Sequence, residues 1–175
     1  MKRLFQTDSG MLCIWDYNSF KHINDYDSWD KELCEDEDIQ KHINSSKFVP
    51  LNLGDGAFDV EIRFTEPSFS DREREYLLVP SQPYKIVSDG QLCISGLEHV
   101  CGDLDDNIAN LSIKPGEYIA QINLIDWNQE PGATDSDGNP TDKALPDMIV
   151  FIYQDESITN YRTELETFRH EDALR

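Results

Sequence analysis

The sequence predicts a mainly β, α+β domain: an antiparallel β-sandwich or partly closed barrel of about eight short strands with peripheral helices. Three observations predict it. Short apolar or alternating segments recur along the chain, each bounded by Gly, Pro, Asn, Asp or Ser. One of them, Met148-Ile149-Val150-Phe151-Ile152, is apolar throughout and short enough for a buried central strand. The chain has 175 residues, the size of one domain, and shows neither an internal repeat nor a linker composition.

In chain order, residues 2–7 and 11–16 read as strands joined across Asp8-Ser9-Gly10, a hairpin-like connection with Gly where positive φ is needed. Residues 28–43 read as one or two short helices. Ser28 is the expected N-cap, and the pairs Trp29/Leu33 and Ile39/Ile43 share helical spacing. The phase slips between the pairs, which places a break near Asp36, and Pro50 bars helix before it. Phe58, Val60, Ile62 and Phe64 alternate with Asp59, Glu61 and Arg63, as a half-buried strand requires. Ser70 and Glu73 have the spacing of a capping box, so one helical turn is expected there. Residues 76–79, 84–87 and 92–94 read as strands, the last two paired across Asp89-Gly90. Pro115-Gly116 turns into a long strand over 118–127, and 147–153 is the central strand. Ile158, Tyr161, Leu165 and Phe168 predict a closing amphipathic helix. The 128–146 segment is a long polar loop.

The formal charge is -20, from 35 acidic and 15 basic residues. A surface this negative is unsuited to nucleic acid or to anionic membranes, because both need basic contacts. The charge is also unevenly placed. Residues 25–38 carry a net -7, residues 98–106 a net -4 and residues 126–142 a net -5, while the rest of the chain is nearly balanced. Such segments are either solvated loops or a face that attracts a basic protein. The second reading selects Asp27, Trp29, Asp30, Glu32, Glu35, Asp36, Asp38, Asp103, Asp105, Asp106, Asp126 and Trp127 as partner-binding residues, with the tryptophans as aromatic anchors.

No catalytic signature stands out: Walker loop, dinucleotide glycine fingerprint and nucleophile elbow are all missing. No catalytic residue and no cofactor is assigned. Asp135, Asp137 and Asn139 lie in a loop that weakly suggests calcium, but Gly138 falls at the wrong position and the twelfth residue is Pro146. Cys93, His99 and Cys101 lack the paired spacings of structural zinc. If 97–103 were a strand, His99, Cys101 and Asp103 would share a face, but about 6.5 Å apart, too far for a catalytic triad. The N-terminal Met1-Lys2-Arg3 is followed by Gln6, Thr7, Asp8 and Ser9 rather than an apolar core, so no signal peptide is expected. With four cysteines in a chain this long, reduced thiols and a cytoplasmic location are expected.

The stretch Leu51-Asn52-Leu53-Gly54-Asp55-Gly56-Ala57-Phe58-Asp59-Val60, with Tyr84-Lys85-Ile86-Val87, Leu92-Cys93-Ile94-Ser95-Gly96-Leu97-Glu98 and Pro115-Gly116-Glu117-Tyr118, resembles a family of small uncharacterised bacterial β-rich proteins. The resemblance spans roughly residues 48–127 and implies fold and provenance rather than activity. In size and acidity the chain is similar to immunity proteins that neutralise bacterial toxins. The expected function is therefore a non-catalytic, cytoplasmic, acidic protein that blocks a basic partner. Two alternatives stand beside it: a ligand- or calcium-binding sandwich module using the 128–146 loop, and a small enzyme with a site assembled from distant residues.

Overall fold

A computed structural model describes residues 1–80 and 82–165. Among the described residues ten strands fall into two sheets, and four short α-helices accompany them. The chain runs β1 (Lys2–Thr7), β2 (Met11–Asp16), α1 (Tyr17–Phe20), α2 (Tyr26–Leu33), α3 (Asp36–Asn44), β3 (Phe48–Asn52) and β4 (Gly56–Arg63). It continues with α4 (Asp71–Glu75), β5 (Leu77–Pro80), β6 (Tyr84–Ser88), β7 (Gln91–Gly96), β8 (Ala109–Ser112), β9 (Gly116–Ile125) and β10 (Met148–Tyr153). One sheet has the order β3-β2-β7-β8. The other has the order β1-β4-β10-β9-β5, with β6 pairing the opposite half of β9 from β5. The architecture is an open α+β sandwich of mainly antiparallel strands. The parallel pairing of strands β4 and β10 makes the larger sheet mixed.

Side-chain alternation explains how the layers stack. On β10, Met148, Val150 and Ile152 join the cluster between the sheets, while Ile149, Phe151 and Tyr153 join a second cluster on the outer face of the larger sheet. All six residues of β10 are buried, as its uninterrupted apolar run requires. Strand β2 is likewise buried throughout. Trp15 turns outward to meet Phe20 edge-on at 5.9 Å. The indole N–H of Trp15 donates to Ser95 Oγ at 3.2 Å, which satisfies a donor that burial would otherwise strand. Helices α1 to α3 thus form a layer on the outer face of the smaller sheet. Leu33 from α2 and Ile39 and Ile43 from α3 are buried there, each contributing roughly 1.5–3 kcal/mol.

Two expected hairpins are not hairpins. Strands β1 and β2 flank Asp8-Ser9-Gly10, yet β1 pairs with β4 and β2 pairs with β3 and β7. Gly10 takes φ +76° so that the chain can step from one sheet to the other. Likewise β6 and β7 flank Asp89-Gly90, but β6 pairs with β9 and β7 with β2 and β8. A buried carboxylate holds this second crossing. Asp16 accepts from Ser19 N at 3.2 Å, Ser19 Oγ at 2.8 Å and Asp89 N at 2.9 Å, with Lys47 Nζ at 3.6 Å. Turn residues between two strands signal a reversal but not which sheet receives the second strand.

Other differences are local. Helix α2 begins two residues before Ser28, because Asp25 is its N-cap and Ser28 the third helical residue of a capping box. The break before Asp36 is present. Ser70 and Glu73 form the expected capping box of α4. Residues 97–103 are not a strand: Leu97–His99 is a 3-10 turn, so His99, Cys101 and Asp103 do not share a strand face. Residues 158–165 are not helical, and Arg162 instead bridges Tyr84 alongside β6. The remainder of that expected helix, including Phe168, lies outside the described residues. The apolar side chains of 158–165 follow contacts rather than helical phase: Ile158 and Tyr161 pack on the outer cluster and Leu165 on the main one.

Candidate functional site

Two of the three acidic segments meet. The 98–106 loop is stitched to the segment leading into α2 by Gly102 N donating to Ile23 O at 2.7 Å and by Tyr17 Oη donating to Gly102 O at 3.0 Å. Glycine is required at 102, since a Cβ there would lie 2.3 Å from Lys21 O. Trp29 Nε1 donates to Leu97 O at 2.9 Å, locking α2 against the start of the same loop. Segments with net charges of -7 and -4 therefore abut on the helical side of the sandwich.

Within this face Asp27, Glu35 and Asp36 are exposed, and Asp30, Glu32 and Asp38 are half-buried. Asp103, Asp105 and Asp106 are exposed on the loop. Glu32 has an internal partner on each oxygen, with His22 Nε2 at 3.4 Å from Oε1 and His42 Nε2 at 3.0 Å from Oε2. It ties the entry to α2 to helix α3. Asp38 pairs with Lys41 at 2.5 Å one turn on. Asp105 accepts from Asn107 N at 2.8 Å and shapes its own turn. Among the carboxylates selected from the sequence, those left most open to a partner are Asp27, Glu35, Asp36, Asp103 and Asp106.

Asp126 and Trp127 do not join this face. Trp127 packs in the cluster on the outer side of the larger sheet, and its indole N–H donates to Asp147 Oδ1 at 2.7 Å. Asp126 is only 7% exposed, and its Oδ1 is buried with no hydrogen-bond partner among the described residues. The third acidic segment therefore sits across both sheets from the first two. There Arg72 of α4 binds Glu130 through its guanidinium, which leaves that carboxylate below its ordinary range.

The loop residues Asp135, Asp137 and Asn139 are exposed. Asp135 Oδ1 accepts from Asp137 N at 2.9 Å and Asn139 N at 2.8 Å, and Oδ2 from the Asn139 side chain at 3.4 Å. The carboxylate organises the turn itself. Among the described residues no group of three or more His, Cys, Asp or Glu side chains converges as a metal ion needs. All four cysteines are free. Burial pushes the Cys93 thiol up to about 12, so at neutral pH it is protonated and a poor nucleophile.

Sequence reasoning missed Tyr26. It is 71% exposed at the first helical residue of α2, and its ring stacks on Trp29 with centroids 6.2 Å apart and planes at 26°. Taking Ser28 as the N-cap put Tyr26 outside the helix and hid the i, i+3 relation that produces the stack. The Asp25-x-x-Ser28 spacing was the available signal. A groove of about 360 Å³ opens beside this stack, between the start of α2 and residues 98–101.

The fold and this face define an α+β sandwich with an acidic helical layer. The sequence matches no protein-family model and no curated protein. In three dimensions the chain is similar to a solved structure described as "Crocagin biosynthetic gene J", with a TM-score of 0.50 and 18% identity, covering 87% of this chain and 94% of that one. That likeness is one of fold. Among the described residues no helix is long and apolar enough to cross a membrane.

Proposed function

We propose that this chain is a non-catalytic binding protein that engages a basic protein partner through the acidic face of α2, α3 and the 98–106 loop. The observation that supports it is the abutment of the segments carrying net charges of -7 and -4 on one side of the sandwich. Clustered carboxylates raise the local potential and speed encounter with a positive surface. The specific form of the reading is an immunity protein: the carboxylates occupy a cleft in a toxin that ordinarily holds phosphates. The free thiols support a reducing, cytoplasmic setting.

The test compares two variants as baits. One neutralises the helical face (Asp27→Asn, Asp30→Asn, Glu35→Gln, Asp36→Asn), and the other neutralises the opposite loop (Asp135→Asn, Asp137→Asn, Asp142→Asn). A basic protein retained by the wild type and the loop variant but lost by the helical-face variant supports the proposal. Retention that is insensitive to both variants, or a partner that is itself acidic, refutes it.

A further inference from the structure

The groove beside α2 has a composition that points to one kind of side chain. Ile23 and Val100, both buried, line it together with the rings of Tyr26 and Trp29. Asp25 and Glu98, with Asn24 and Cys101, complete the lining. Its volume, about 360 Å³, lies at the lower end of the range of roughly 300–1,000 Å³ in which ligand pockets fall. The only hydrogen-bond donor of the Trp29 ring is committed to Leu97 O, so its remaining contacts are made through the ring faces. Tyr26 is an exposed aromatic held in place by that ring.

The two carboxylates are set in position before any partner arrives. Asp25 Oδ1 accepts from Ser28 N at 2.8 Å and Ser28 Oγ at 2.6 Å. Glu98 accepts from Ser9 Oγ at 2.6 Å, Asp8 N at 3.0 Å and Thr7 Oγ1 at 3.1 Å. These hydrogen bonds favour the ionised form of both groups. Among the described residues no lysine or arginine forms an ion pair with Asp25, Asp27, Asp30 or Glu98, and His99 Nε2 lies 3.9 Å from Glu98 Oε1. The groove thus joins aromatic faces to carboxylates that have fixed geometry and no strong counter-ion.

We infer that this groove seats an arginine side chain of the basic partner, its guanidinium against the Tyr26–Trp29 stack and between the carboxylates of Asp25 and Glu98. The inference rests on the proposed binding of a basic protein and names the residue such a protein presents. Arginine fits better than lysine because its planar, weakly hydrated head stacks on rings and offers donors to two carboxylates at once. Charge complementarity with the surrounding acidic segments favours the same occupant.

Hexa-arginine and hexa-lysine peptides test this by titration calorimetry at about 0.15 M salt, where long-range attraction is largely screened. The wild type is expected to bind the arginine peptide about three- to tenfold more tightly than the lysine peptide. Tyr26→Ala erases that preference, whereas Tyr26→Phe keeps it. Tyr26 is exposed, so both variants retain the fold, which thermal unfolding verifies. Equal affinities in the wild type, or a preference that survives Tyr26→Ala, overturn the arginine slot. In either case a loss of affinity for both peptides in the helical-face variant leaves the acidic-face reading standing. Peptide affinities unaffected by neutralising the helical face overturn both.

Discussion

Glu73 is one of several carboxylates that the fold uses internally, and it is the one most firmly held. Arg63 donates to it through Nη2 at 2.5 Å and Nη1 at 3.3 Å, and Ser70 N donates at 2.7 Å. The Arg63 hydrogen bonds, opposed by burial and aided by Ser70, bring its pKa down to about 2. A depressed folded-state value means that the stabilisation is complete above the unfolded value near 4.5 and is lost as pH falls toward 2. Glu73→Gln is therefore expected to cost about 2 kcal/mol at neutral pH. Thermal unfolding of both proteins from pH 7 to 2 should show the gap closing below about pH 4.5; a gap that persists at pH 2 contradicts this assignment. The same contrast separates Asp126 from Asp27. Both sit beside a tryptophan or one residue from it in an acidic segment, yet one is buried and the other exposed. Sequence adjacency to tryptophan does not distinguish an anchor for a partner from a ring that packs on its own sheet, since the decision lies in contacts such as Trp127 with Asp147 that span twenty residues.

Elements whose signal is local were legible in the sequence, and their partners were not. The apolar run of β10, the alternation of Val60 and Ile62 on β4, the capping box of α4 and the break between α2 and α3 all arise from neighbouring residues, and the structure has each of them. Strand pairing is non-local. The turn at Gly10 and the turn at Gly90 carry hairpin chemistry, but the strands on the two sides of each turn pair in different sheets. The expected terminal helix failed over 158–165 because its apolar residues dock separately, on two different clusters. Helix α2 carries much of the proposed binding face, and its N-cap carries a prediction. Asp25→Ala removes the acceptor for Ser28 N and should destabilise the protein by about 1 kcal/mol. Because the cap also sets where Tyr26 begins the helix, fluorescence quenching of Trp29 by a soluble quencher should rise in the same variant. Unchanged stability and quenching would show that α2 is fixed by Leu33 and the Leu97 contact alone.

At the scale of the whole molecule, the charge of -20 is divided by the sandwich rather than pooled on it. Two acidic segments share the helical layer, and the third lies beyond the larger sheet, where Glu130 is already paired with Arg72. The acidic residues of the sequence were legible as segments, but their separation was not, because it depends on which face of which sheet each loop crosses. The division predicts unequal effects of neutralisation on association. In the proposed function the helical face, and not net charge, draws in a basic partner. Stopped-flow association with the protein captured by the wild-type bait, measured across rising salt, tests it most directly. The rate should fall steeply with salt, by about tenfold or more between low and physiological ionic strength. That dependence should flatten in the variant neutralised at Asp27, Asp30, Glu35 and Asp36 and persist in the one neutralised at Asp135, Asp137 and Asp142. A salt-independent rate, or equal flattening in both variants, would contradict it.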